Sequence, residues 1–267
     1  MSTETTGYEA LDRILARVRA NSKLKSTQEI TSSQQKMKQE QKENLYSCNI
    51  CKDTSWIISK DGKATRCKCF ELDTIKEQWK SSGFKIDDMD KTFKNFIHWN
   101  NEVKNMKSTA TNYFLNFEKI KDTKYNSILL CGQPGSGKTH LSIALANNLL
   151  KKGYKVVYMQ YREVVTAIKQ NIIDKDYYKN IISKYQRADI LLIDDLFKGK
   201  ITESDINIIF EIMNYRYINK KPIIASTEFS IAKLLNCDEA VGSRIYEMAK
   251  DYTHEIRGQE NNYRLKV

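Results

Sequence analysis

Gly132-Gln133-Pro134-Gly135-Ser136-Gly137-Lys138-Thr139 is the stretch that decides the fold of this chain. It spells G-x-x-x-x-G-K-[ST], a loop whose glycines let successive backbone N–H groups turn inward around a phosphate. Before it runs Ser127-Ile128-Leu129-Leu130-Cys131, short, apolar and strand-like; after it, residues 140–150 carry apolar side chains at helical spacing. Strand, glycine turn and helix follow in the order the mechanism needs. The helix offers its positive N-terminal end to the same anion, Lys138 reaches the β- and γ-phosphates, and the Thr139 hydroxyl is placed to ligate Mg²⁺. Gly132 through Thr139, with His140 behind them, are therefore the candidate ATP-binding residues.

Working outward, Ala188-Asp189-Ile190-Leu191-Leu192-Ile193-Asp194-Asp195 reads as a buried parallel strand ending in two carboxylates. Ligands of open α/β sheets gather at that strand edge. Asp194 is then the candidate to hold Mg²⁺, and Asp195 to polarise the water that attacks the γ-phosphate. From Tyr113 onward helical and strand-like segments alternate, with strands expected near 127–131, 155–159, 189–194, 222–226 and 252–256. Five strands with helical crossovers imply a parallel sheet covered by helices.

Ahead of this domain, four of the six cysteines cluster as Cys48-x-x-Cys51 and Cys67-x-Cys69, with a strand-like 54–59 and an Asp61-Gly62 turn between the pairs. Four thiolates can surround Zn²⁺ tetrahedrally, and so small a hairpin needs such a staple to fold. The expected organisation is an amphipathic helix (Leu11, Ile14, Leu15, Val18) and polar linker over 1–45, a zinc module over 46–75, a linker over 76–105 and the nucleotide-binding domain over 106–267. The aromatics Phe84, Phe93, Phe96 and Trp99 of the linker are expected to pack on the next domain. The N-terminal helix is either a solvated tail or a docking element for a partner.

The 267 residues carry a formal charge of +11, which suits a polyanionic partner, although an AT-rich coding sequence would produce the same lysine excess. No apolar run approaches membrane-spanning length and the N-terminus has no secretion-signal pattern, so a soluble, cytoplasmic protein without membrane contact is expected. Between the second and third strands, 161–186 is helical in pattern and mixed in charge. It is either a solvated amphipathic helix or, as the family resemblance described below implies, a DNA contact in which Lys169, Lys175, Lys179 and Lys184 meet a single-strand backbone and Tyr177 or Tyr178 stacks on bases.

With the loop, the acid pair, Pro222-Ile223-Ile224-Ala225-Ser226-Thr227-Glu228 and Val241-Gly242-Ser243-Arg244-Ile245 in this order, the chain resembles an AAA+ ATPase. Within that class it is similar to the DnaC/DnaI-type replicative helicase loaders, especially phage and prophage versions. The likeness runs from about residue 48 onward and includes Leu191 through Lys200, Glu211 through Tyr217, and the four-cysteine module ahead of Lys91-Thr92-Phe93-Lys94-Asn95-Phe96. It implies a bacterial ATPase that binds a hexameric replicative DNA helicase and single-stranded DNA, and that self-associates through its ATP sites.

The resemblance also implies residue roles. Ser226-Thr227-Glu228 falls at the sensor 1 position, where Thr227 or Glu228 would link the γ-phosphate and attacking water to the neighbouring strand. Arg244 matches the arginine finger that reaches an adjacent subunit's site. Asp195 stands where many relatives have Glu, which implies slow, switch-like hydrolysis. The stretch after Arg244 is short for a helical lid, leaving Arg257 and Arg264 as candidates for sensor 2. Two rivals remain: a transposition accessory ATPase related to IstB, against which the zinc module argues, and a non-hydrolysing ATP-binding protein that sequesters the helicase.

Overall fold

The computed structural model describes residues 46–70, 77 and 81–266. The expected helix at Leu11–Val18 lies outside them. The chain divides into two compact units between Glu71 and Leu72.

The first unit is an antiparallel hairpin of β1 (Trp56–Ile58) and β2 (Ala64–Arg66), in the register Trp56↔Arg66, Ile57↔Thr65 and Ile58↔Ala64. Gly62, at φ 75°, makes the turn where a Cβ would strain the backbone. Two tight turns flank the hairpin: Lys52 N–H donates to Cys48 O at 2.9 Å, and Phe70 N–H to Cys67 O at 3.0 Å. Each brings a pair of cysteines to one end of the hairpin. Arg66 stacks over both the Trp56 and Phe70 rings, at 4.0 and 4.1 Å.

The second unit is a five-stranded, all-parallel sheet in the order β4 (Val156–Gln160), β5 (Ile190–Asp194), β6 (Ile223–Thr227), β3 (Ile128–Gly132), β7 (Thr253–Ile256). Every expected strand is present, the first, second and fourth shifted by one residue and the third and fifth begun one residue later. The three central strands β3, β5 and β6 are buried throughout, which explains their unbroken apolar runs.

Strand alternation sorts the core into two layers. Ile128, Leu130, Leu192 and Ile224 face α1 (Asn101–Ile120) and α2 (Lys138–Lys151). Leu129, Cys131, Ile193 and Ala225 face α3 (Tyr161–Gln170), α4 (Lys175–Arg187), α5 (Glu203–Ile218), α6 (Ile231–Cys237) and α7 (Glu239–Met248). Helix α1 shows why its sequence folds this way. Asn100 caps it by accepting from Val103 N–H, and Val103, Met106, Ala110, Tyr113 and Phe117 form one buried stripe.

Residues 84–100 also belong to this unit. Phe84 stacks on Tyr158 at 4.8 Å, Phe93 packs on Phe114, Phe96 is buried against His140, and Trp99 meets Tyr263 at 5.0 Å. The side-chain amide of Asn147 on α2 donates to the carbonyls of Lys91 and Asp88. The segment is thereby laid along the outside of α2.

The largest fully buried side chain among the described residues is charged. Arg216 is fully buried, and its guanidinium donates to the carbonyls of Tyr185, Gln186, Ala188, Asp189 and Pro222. It gathers the end of α4 and the starts of β5 and β6 into one junction. Only a planar fork with several donors can satisfy so many oxygens at once.

Candidate nucleotide-binding site

The C-terminal ends of β3 and β5 open into a cleft of about 670 Å³. Three glycines shape its floor. Gly132, Gly135 and Gly137 have φ of 101°, 73° and 91°, and a Cβ on Gly132 would lie 2.0 Å from the Ile256 carbonyl oxygen. A side chain is excluded there by both conformation and space. Gly137 ends the loop directly before α2, so the first amides of that helix face the cleft.

Lys138 is buried and its Nζ donates to Gly132 O and Gln133 O at 2.8 and 2.7 Å, folding the side chain back over its own loop. Burial pulls its pKa down to about 8, while the Glu228 and Asp195 carboxylates pull the other way. Ser136 Oγ closes the turn on Gln133 O, and Pro134 lines the cleft. His140 also lines the cleft, its Nε2 lying 3.0 Å from Thr92 O and 3.2 Å from Asn95 Oδ1.

Of the two acids, Asp194 meets the loop and Asp195 lines the cleft. Thr139 Oγ1 donates to Asp194 Oδ1 at 2.9 Å, and Tyr158 OH to Asp194 Oδ2 at 3.2 Å. Burial raises the Asp194 pKa, and the Asp195 carboxylate raises it further, against the lowering effect of hydrogen bonds from Ser226, Thr139 and Tyr158. A hydroxyl and a carboxylate oxygen side by side form an oxygen-only donor set that suits Mg²⁺, whose other positions water and phosphate oxygens fill. Asp195 lines the cleft at φ 55°.

The sensor position is corrected in part. Thr227 is buried; its hydroxyl donates to Leu196 O and accepts from Phe229 N–H, and it does not line the cleft. Ser226, which spacing did not single out, is the hydroxyl that joins the strands. Its Oγ donates to Asp194 Oδ1 in a short hydrogen bond and accepts from Asp195 N–H at 3.0 Å. Glu228 does line the cleft. The signal for Ser226 was the parallel register of β5 on β6, which no single strand reveals.

Of the two later arginines, Arg264 lines the cleft, whereas Arg257 pairs with Glu255. The segment that carries Arg264 crosses the phosphate loop: Tyr263 N–H donates to Gly135 O at 3.1 Å, and Trp99 Nε1–H to Glu260 O at 3.3 Å. Tyr263, Trp99, Phe96 and Ile97 give the cleft an aromatic and apolar wall. Arg244 stands outside this cleft. Its guanidinium lies over Phe210 and Tyr217 and donates to Ala240 O at 2.7 Å.

In the 161–186 region Lys169 is committed to the buried Asp205 at 2.7 Å, and Tyr178 OH to Glu211 at 2.6 Å. These two are not available as nucleic-acid contacts in this arrangement. Lys175, Lys179 and Lys184 remain exposed.

In the first unit the four thiol sulfurs of Cys48, Cys51, Cys67 and Cys69 lie within 4.8 Å of one another. Cys48 and Cys67 are 3.8 Å apart and Cys51 and Cys69 3.2 Å, and all are free thiols. Tetrahedral Zn–S bonds would set sulfurs about 3.8 Å apart, so the donor set fits Zn²⁺. Amides of Cys51 and Ile50 hold the Cys48 pKa down to about 7, while hydrogen bonding from Cys51 pushes Cys69 up.

Comparisons with known proteins agree with this geometry. A family model described as IstB-like ATP binding protein matches residues 78–267. The phage-like element PBSX protein XkdC of Bacillus subtilis (strain 168) is 37% identical over 234 residues, covering 83% of this chain and 87% of the relative. The uncharacterized protein YqaM of the same strain is 36% identical over 228 residues, covering 82% and 71%. The crystal structure of the DnaC helicase loader superposes with a TM-score of 0.56 over 65% of this chain and 100% of that one, at 21% identity, a likeness of fold. AMPPCP-bound DnaA from Aquifex aeolicus superposes at 0.53 with 26% identity, over 62% of this chain and 50% of that one. Because the family model matches residues 78–267 and the sheet unit superposes on the DnaC loader, the chain belongs to the IstB-like ATP-binding family, with the AAA+ fold of the DnaC-like helicase loaders.

Proposed function

We propose that this chain is an ATP-dependent loader that binds the hexameric replicative DNA helicase and delivers it onto single-stranded DNA during replication initiation. The observation that carries the reading is the Thr139–Asp194 contact beside Lys138 and Asp195, a complete phosphate and metal constellation, in a chain that also bears a four-cysteine module. Thr139 and Asp194 would hold the Mg²⁺ that accompanies ATP, which would neutralise phosphate charge. Lys138 leaves its loop carbonyls for the phosphates. Ser226 holds Asp194 and Asp195 in register, and Asp195 orients water for attack.

Arg244, which lies outside its own cleft, reaches the site of a neighbouring copy and stabilises charge developing on the γ-phosphate. ATP thus favours self-association, and hydrolysis loosens it, by differential affinity for two assemblies. The N-terminal region and the zinc-bound module of Cys48, Cys51, Cys67 and Cys69 hold the helicase, and exposed lysines of α4 meet the DNA backbone. The protein acts in the bacterial cytoplasm.

A second reading, a transposition accessory ATPase, is favoured by the family match over 78–267. The test is mass photometry of the full chain with its cognate replicative helicase and ATP, with Lys138→Ala as control, followed by helicase loading on single-stranded DNA. A defined complex that loads helicase only with ATP supports the loader. Assembly on duplex DNA with no helicase complex supports the transposition reading, and a helicase complex with nucleotide bound but never turned over supports a sequestering protein.

A further inference from the structure

Immediately after the acid pair the backbone makes an unusual turn. Asp195 and Phe197 both have positive φ, 55° and 61°, and Gly199 follows at 90°. Such conformations cost non-glycine residues energy and persist only where the surroundings impose them. Here Phe197 is fully buried, packed between Tyr161 at 5.7 Å and Phe229 at 6.4 Å between ring centroids. Leu196 N–H is fixed to Ser226 O at 2.8 Å, and Lys198 N–H returns to Asp195 O at 3.0 Å.

The consequence is where Lys198 stands. It lines the cleft, and its Nζ lies 2.8 Å from Asp195 Oδ2 and 3.1 Å from Glu228 Oε1. Glu228 is the foremost acidic influence on Lys138, so it faces the same space that phosphates enter. An incoming triphosphate therefore meets two carboxylates besides Asp194, and Lys198 is the ammonium that pairs with both.

We infer that Lys198 is an ATP-selective cation, clamped on Asp195 and Glu228 in the nucleotide-free site and drawn to the terminal phosphate when ATP arrives. The inference rests on the ATPase reading above. Both ion pairs are partly exposed, with Lys198 at 47%, Asp195 at 33% and Glu228 at 32%, and exposed pairs hold weakly. A phosphate is a stronger competitor, offering a multiply charged group with several acceptor oxygens. Transfer of the ammonium also frees the Asp195 carboxylate to orient water. ADP lacks the terminal group, so with ADP the clamp stays on the carboxylates.

The test is calorimetric titration of the full chain, in Mg²⁺, with β,γ-methylene-ATP and with ADP. The variants are Lys198→Met, which keeps the apolar stem, Lys198→Arg, and Lys138→Ala. Lys198→Met should weaken the ATP analogue about tenfold and ADP less than about twofold, while Lys198→Arg keeps the analogue within about threefold of the parent. Equal weakening of both nucleotides with a lowered Tm would mean that Lys198 only braces the turn, and overturns the inference; so would no change in either. Failure of the parent chain to bind either nucleotide would instead reject the ATPase reading itself.

Discussion

The two units of this chain keep their shape by different means. In the hairpin unit, Cys51 and Cys67 are the buried apolar side chains among the described residues, while Trp56, Ile58, Ile50 and Phe70 are exposed. In the sheet unit, two apolar layers close on both faces of β3, β5 and β6. A hairpin so small buries too little surface to offset the entropy of ordering its chain, and its four converging thiols are the group through which a bound metal would supply the difference. The sheet unit needs no such help, and it can place charged groups such as Lys138, Asp194 and Arg216 inside itself.

Metal removal draws the sharpest line between the two. Stripping Zn²⁺ from the full chain with a chelator, or replacing Cys67 by Ser, should collapse the amide dispersion of residues 46–70. A structural zinc site of this kind would contribute an apparent binding free energy of about 10 kcal/mol or more. The melting transition of the sheet unit should move by less than about 2 °C. A hairpin that keeps its protected amides without metal would break the comparison.

Arg216→Ala probes the other side. It takes the guanidinium donor from the carbonyls of Tyr185, Gln186, Ala188 and Asp189, leaves Pro222 O with Leu191 N–H alone, and should cost roughly 3 to 5 kcal/mol in urea unfolding of the sheet unit. The hairpin unit's zinc content should not change.

A third measurement uses Lys138, whose pKa burial lowers from 10.5 to about 8. Below pH 8 both folded and unfolded chains carry the proton and the folded state bears the full cost of the buried charge. Between pH 8 and 10.5 the folded state releases it first, so stability rises with pH, by up to about 3 kcal/mol, and levels off above that window. Lys138→Met should remove this part of the slope, read as the difference between the two urea-stability profiles. The smallest effect is expected at the aromatic wall: Tyr263→Ala should weaken nucleotide binding by about threefold to tenfold with little change in Tm.

What could be read from the sequence follows the range of the forces involved. The phosphate loop, the acid pair and all five strands are local patterns, a motif or an apolar run, and the structure shifts the strand starts by one residue. The cysteine spacing is local too, and the sulfurs do converge. The distinction between Ser226 and Thr227 was hidden because alternation along β6 gives two faces but not their contents. Which face meets Asp194 depends on Ile193 pairing with Ala225 across strands. Lys198 looked like one lysine among many, since only the turn at Asp195–Phe197 brings it into the cleft. Residues 257–266 have no periodicity at all, and their place over the phosphate loop rests on backbone contacts.

Those backbone contacts carry a consequence for how the protein is made. Gln133 N–H is held by Ile256 O at 2.8 Å, and the Gly135 carbonyl accepts from Tyr263 N–H. β7 itself joins the sheet only beside β3. A ribosome that has just finished α2 has therefore produced the whole phosphate motif but neither of the segments that fix its backbone. The nascent chain should remain unable to hold nucleotide until residue 263 has emerged, so competence to bind ATP comes only after the rest of the core is already available to fold.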